Sequence, residues 1–235
     1  MNRRAIVLAC VLLFPGSAWA ASYSTTFALT ENPISDAGQW VNGQAVGLDW
    51  KNVQTINGQA YGTQSNGGYD DSTAVLAGTW AADQAAQATV YVGSINDGWW
   101  PEVELRLRTT ITPHSIKGYE INFSCRRSSP YVQIVRWNGP LNNFTYVAAT
   151  NLPAILRTGD TVKATITGST IVVYLNGAQI LLGTDTTYTS GTPGVGFFHT
   201  SDASANTTFG FSAFAAADSG TASPPSAPTN VQIAP

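Results

Sequence analysis

Glu102-Val103-Glu104-Leu105-Arg106-Leu107-Arg108 is the stretch that decides how this chain folds. Every second residue is charged and every intervening one aliphatic, a period of two that a strand with one buried face satisfies. The pattern places Glu102, Glu104, Arg106 and Arg108 on one sheet face and Val103, Leu105 and Leu107 on the core face. The next run repeats it, with Glu120, Asn122, Ser124 and Arg126 on one face and Tyr119, Ile121, Phe123 and Cys125 on the other. A connection across residues 112–116 makes the two runs antiparallel neighbours and brings Glu120 and Asn122 near Arg106 and Arg108, within cross-strand pairing range. A third run, Tyr131 to Trp137, buries Val132 and Ile134 and puts Tyr131, Gln133 and Trp137 on the polar face. Arg136 falls on its core side, which requires either that the strand has left the core by then or that a bulge flips it.

The rest of the chain reads the same way. Amphipathic helical periodicity is absent from every long window, whereas β-branched and aromatic residues recur in short runs bounded by turn formers, so the class is all-β. Further strands are expected at 74–76, 88–92, 145–148, 161–166, 170–175, 178–182, 195–199 and 208–214. Between 170 and 182, Asn176-Gly177 supplies the positive φ angles of a type I′ hairpin, and Asn42-Gly43 and Asn57-Gly58 are weaker cases of the same signal.

The first twenty residues have the form of a secretory signal. Arg3 and Arg4 open it, an apolar run from Ala5 to Phe14 follows, and Ala18-Trp19-Ala20 is a small-x-small cleavage site. The apolar run is too short to span a bilayer. The expected organisation is a signal peptide at 1–20, one β domain at 21–216, and a Ser/Pro-rich linker at 217–235 whose last residues resemble the opening strand of a fibronectin type III module. Export, to an extracellular or periplasmic site, follows from the leader. Only Cys125 remains after cleavage, so no intramolecular disulfide supports the domain, and its period-two spacing with Ile121 and Phe123 makes it a buried thiol.

Charged residues are 11% of the chain against roughly 25% in ordinary globular proteins. That composition lacks the basic stripe that nucleic-acid binding needs, and the acidic pI of about 5.2 disfavours anionic membranes. What charge there is lies together: of nine basic residues outside the leader, six fall between Trp99 and Trp137, as do three of the four glutamates. This face has two readings, a solvated sheet surface with Glu and Arg paired across strands, or a sugar-binding groove in which aromatic rings stack on pyranose faces and polar groups meet hydroxyls. The candidate ligand-binding residues are Trp100, Glu102, Glu104, Arg106, Glu120, Asn122, Gln133 and Trp137. Trp99 and Trp100, if extended, point to opposite faces, and Trp40, Trp50 and Trp80 are expected in the core.

Catalytic signatures are weak. His114 and His199 have no identifiable partner and no second ligand at a metal-binding spacing, and no Gly-x-Ser-x-Gly elbow occurs. Glu102 and Glu104 stand roughly 6.5 to 7 Å apart along a strand, a spacing that permits glycoside hydrolysis. Arg106, however, is expected to pair with Glu104 and hold its pKa low. No metal or cofactor is expected, and Asp70 and Asp71 read as solvated turn residues.

The run from Gly159 to Phe198, with Gly159-Asp160-Thr161-Val162-Lys163 through Tyr174-Leu175-Asn176-Gly177, then Asp185 and Pro193-Gly194-Val195-Gly196-Phe197-Phe198, resembles the closing half of concanavalin A-like lectin/glucanase (laminin G-like) domains. Gly118-Tyr119-Glu120 and the run from Tyr131 to Gly139 resemble middle strands of bacterial secreted members. The resemblance spans Ser22 to Ala216 and implies a jelly-roll sandwich of two antiparallel sheets. Where catalytic relatives carry Glu-x-Asp-x-x-Glu, this chain has Leu107 in the last carboxylate's place. Glu104-Leu105-Arg106 matches a tripeptide of alginate-lyase-like relatives whose other motifs are missing. The sequence thus points to a secreted, lectin-like, non-catalytic domain that binds a polysaccharide or glycan. A polysaccharide lyase or glycoside hydrolase on the same fold is the alternative, and a structural or adhesion module a second.

Overall fold

A computed structural model describes residues 20–65, 68 and 70–220. The expected leader, apart from Ala20, and the tail from residue 221 lie outside the described residues. Among the described residues fifteen strands follow one another: β1 (Ser22–Thr25), β2 (Trp40–Asn42), β3 (Val53–Ile56), β4 (Gln59–Gly62), β5 (Ser72–Leu76), β6 (Gln84–Val92), β7 (Glu102–Thr112), β8 (Ser115–Ser124), β9 (Tyr131–Gly139), β10 (Phe144–Asn151), β11 (Thr161–Thr167), β12 (Thr170–Leu175), β13 (Ala178–Thr184), β14 (Thr192–Phe198) and β15 (Phe209–Asp218). They form two antiparallel sheets. The front sheet runs β10-β9-β8-β7-β14-β5-β2 and the back sheet β13-β12-β11-β6-β15-β4-β3, with β1 also paired to β15. The result is the jelly-roll-type sandwich that the resemblance implied.

Alternation explains the layers. Val103, Leu105, Leu107, Ile121, Phe123, Val132 and Ile134 of the front sheet meet Val90, Val162, Ile166, Val173, Phe209, Phe211 and Phe214 of the back sheet, all buried. Cys125 joins this core, and burial pushes its thiol pKa up, as an inert buried thiol requires. Asn176 and Gly177 adopt φ of +50° and +82°, and Asn57 and Gly58 of +54° and +77°, so both pairs turn hairpins. At Asn42-Gly43 the chain enters a 3-10 turn (Gln44–Val46) instead.

Two departures matter for the site. The β7–β8 register slips between Leu107 and Thr110, and Arg108 sits at φ +46°. This bulge is packed between two glycines: a Cβ on Gly118 would lie 2.6 Å from Thr109 Cα, and one on Gly191 would overlap the Arg108 carbonyl. The bulge carries Arg108 off the charged face. Its guanidinium donates to the Ala82 carbonyl (2.6 Å) and the Tyr188 carbonyl (2.9 Å) and pairs with Asp83, so the expectation of four charges in a row is corrected to three. Arg136, opposite Tyr119 on the core side, lies where β9 has left the core, and it pairs there with Asp185 just beyond β13.

Candidate functional site

The outer face of the front sheet is assembled by register. Glu104 stands opposite Asn122, which stands opposite Gln133; Arg106 stands opposite Glu120, which stands opposite Val135. On the other flank Gly196 and Gly194 of β14 lie opposite Glu104 and Arg106, and Gly196 is opposite Thr73 of β5. A Cβ on Gly196 would overlap Glu104 Oε2 and approach Arg106 Nη2 to 2.6 Å. Glycine at this point leaves the room in which Arg106 lies across β14 to meet the strand beyond.

Arg106 occupies the centre. Its Nη1 pairs with Glu120, and its Nη2 pairs with Glu104, donates to Thr73 Oγ1 at 3.0 Å and reaches Asp71 at 3.5 Å. Trp50 closes over it, with the guanidinium carbon 5.0 Å from the indole centroid. Trp50 in turn packs edge-on against Trp137 at 4.5 Å, within a second apolar cluster that includes Leu48, Ile116 and Val135. Trp50 is therefore buried on the outer face and not between the sheets as expected, while Trp40 does join the main core.

The consequence is a division of the expected site residues. Glu104 and Arg106 are 0% exposed and do not reach the surface, which corrects their assignment as ligand contacts. The cross-strand pairing of the other reading is present between Arg106 and Glu120, but it is buried, with Trp50 over the guanidinium, and not solvated. Glu102, Glu120, Asn122 and Trp137 form the floor of an open groove of about 900 Å³, and Gln133 and Trp100 stand in its walls. Trp137 is 3% exposed, with Nε1 donating to Glu120 Oε2 at 2.6 Å. It is a floor residue tied to the ion cluster, not the exposed stacking platform its polar-face position suggested.

Trp99 and Trp100 are not extended: a 3-10 turn spans Asp97–Trp99, and Trp100 follows at φ +52°. Trp100 is thereby 45% exposed. Arg126 lies over its ring at 3.9 Å, and Tyr131 is 6.3 Å away. The opposite end of the groove carries Phe144, packed on Trp137, and Tyr146, packed on Phe144.

Burial sets the protonation of the cluster. Desolvation, with the charge of Glu120 adding to it, raises the Glu102 pKa from the ordinary 4.5 to about 8, against the opposing hydrogen bond that Tyr131 donates to its Oε1. Asp71 and Glu104 are likewise pushed well above the carboxylate range, first by burial and then by Glu120. This corrects the expectation that Arg106 holds Glu104 low. One guanidinium is shared among three carboxyl groups in dry surroundings, and it does not offset their combined desolvation.

Asp71, Glu104 and Glu120 present oxygens within 4.8 Å of one another, a spacing a cation could use. The chain itself supplies that cation in Arg106. Asp71 was expected to be a solvated turn residue, and it is 3% exposed. The histidines do have partners. His114 Nδ1 is 2.8 Å from Asp49 on the exposed β7–β8 turn, and buried His199 pairs through Nε2 with Asn206 Oδ1 at 2.9 Å. Burial lowers the His199 pKa. Neither residue lines the groove.

Sequence reasoning did not assign Asp71, Trp50 or Tyr131 to the site. Asp71 and Trp50 arrive from loops about 30 to 60 residues away, with no local pattern to mark them. Gly194-Val195-Gly196, two glycines in period two inside a strand, was the available signal of a close approach on that face.

No family model matches the chain, and no curated protein matches it in sequence. Solved structures do match in shape. The carbohydrate binding module CBM66 from Bacillus subtilis shares 14% identity at a TM-score of 0.53, over 79% of this chain and 95% of that one. The potassium-bound Emp46p carbohydrate recognition domain shares 11% at a TM-score of 0.56, over 77% and 89%. A legume lectin-like domain from Entamoeba histolytica shares 10% at 0.53, over 82% and 98%. At such identities the likeness is one of fold, and what it shows is that this chain is a β-sandwich of two antiparallel sheets with the same overall shape as those domains.

Proposed function

We propose that this protein is an exported, lectin-like domain that binds carbohydrate without transforming it. The observation that carries the reading is the groove itself: a polar floor of Glu102, Glu120 and Asn122 with Gln133 beside it, between aromatic walls that have Trp100 and Tyr131 at one end and Phe144 and Tyr146 at the other. Apolar walls with few fixed polar groups are what a sugar, apolar on its ring faces and hydroxylated at its edges, requires. The shape likeness to a carbohydrate binding module and to lectin domains supports the same reading. Export rests on the leader in the sequence.

The test is glycan-array binding of the protein and of Trp100→Ala. Loss of the exposed indole is expected to weaken glycan binding about 2- to 13-fold, as ~0.5–1.5 kcal/mol of ring contact implies, with the melting temperature unchanged. Undiminished binding removes Trp100 from the site, and absence of binding to every glycan refutes the reading.

Hydrolysis is the second reading, favoured by the Glu102 pKa of about 8 beside Glu120 in one groove. Against it, Glu120 Oε2 is held by Arg106 and Trp137, and Glu102 is held by Tyr131. Release of reducing sugar, abolished by Glu102→Gln, would establish it over the binding role.

A further inference from the structure

We infer that the groove takes uncharged, hydroxyl-rich glycans and rejects uronates and other anionic sugars, an inference that rests on the glycan-binding reading above. Asp71, Glu102 and Glu120 all reach the groove, and among its described lining residues none is Lys, Arg or His. The arginines nearest the groove already have partners. Arg106 is fully buried beneath the floor with both terminal nitrogens occupied. Arg126 lies over the Trp100 ring, Arg108 is held at Asp83, and Arg136 at Asp185.

One polar atom of the floor lacks a partner. Asn122 donates through Nδ2 to Gln133 Oε1 at 3.1 Å and to Glu120 Oε1 at 3.4 Å, while its Oδ1, in a side chain only 4% exposed, has no partner. It is an acceptor awaiting a donor, on a floor whose neighbours are carboxyl groups. An ionised carboxylate or sulfate brings acceptors alone. It would leave Asn122 Oδ1 unsatisfied and would give up its hydration in a groove whose described lining offers no Lys, Arg or His to offset that loss. A sugar hydroxyl brings the missing donor at no charge. A protonated amine also brings donors, so amino sugars form the discriminating arm of the test.

The experiment is a glycan array of neutral, amino and uronic oligosaccharides probed with the full chain at low ionic strength. Uronic ligands are expected to bind at least tenfold more weakly than the best neutral ligand. Thr150→Lys, at an exposed position lining the groove, is expected to raise uronate binding at least tenfold. Uronates binding as well as neutral sugars overturn the inference and leave glycan binding intact, as does a properly folded Thr150→Lys with no gain. Protonated amino sugars binding more tightly than any neutral one reassign the groove to cationic ligands and also overturn it. Failure to bind any glycan overturns both this inference and the reading beneath it.

Discussion

Glu102→Gln is the substitution that isolates the protonation of this cluster. Glu102 is 7% exposed, and its pKa rises from 4.5 in an open chain to about 8 in the fold. The sign follows from proton linkage: the folded state keeps a proton that the unfolded state releases, so stability falls as pH rises. The loss is absent below about pH 4.5, accumulates up to about pH 8 and levels off above it. At roughly 1.4 kcal/mol for each pH unit, that window bounds the loss at about 5 kcal/mol. Glutamine keeps the oxygen that Tyr131 donates to, adds an N–H near the unpartnered Asn122 Oδ1, and has no proton to lose. Wild type and Glu102→Gln are therefore expected to melt at similar temperatures at pH 4.5 to 5. From there the variant gains steadily, up to about 10 to 20 °C at pH 8, using ~2–4 °C per kcal/mol for a domain of this size. Asp71 and Glu104, also raised, keep part of the wild-type pH dependence in the variant. Calorimetric or fluorescence melts from pH 5 to 9 measure the difference between the two proteins. A difference that does not change with pH refutes the claim that Glu102 is buried in its protonated form.

Gly196→Ala places a Cβ against Glu104 and Arg106 and is expected to cost at least ~1–3 kcal/mol, the usual range for overpacking, read as a lowered denaturant midpoint. Arg106→Met leaves Glu104, Glu120 and Asp71 without their shared cation and is expected to destabilise by ~3–5 kcal/mol at neutral pH. A denaturant titration that shows no loss contradicts the assignment. Trp137→Phe keeps the ring and removes the Nε1 bond to Glu120. Urea titration should show a loss of about 1–3 kcal/mol, and no change would mean that the bond contributes nothing.

The strands of the meander were legible because side-chain direction in a strand is a local property. Val103, Leu105 and Leu107 against Glu102, Glu104 and Arg106 needed only the period of two to be sorted. The same logic failed at Arg108, because the β7–β8 slip depends on Gly118 of β8 and on Gly191, just ahead of β14, both contacting the bulge. It failed at the short early strands β1 to β4, whose three or four residues carry too little pattern to stand out. It also misplaced Trp50, since no local feature distinguishes an indole packed between the sheets from one packed on their outside.

By itself, then, the sequence determined the class, the meander and the polar face on which a site could lie, because alternation, turn-forming pairs and composition act over a few residues. Only the tertiary structure decided what that face is. Trp50 closes over Arg106, Gly196 opens the path to Asp71 and Thr73, and the 3-10 turn presents Trp100 beside the floor of Glu102, Asn122 and Glu120. Whether a charged residue is solvated, paired or protonated depends on which distant segment covers it, and segments distant in sequence meet only when the chain has folded.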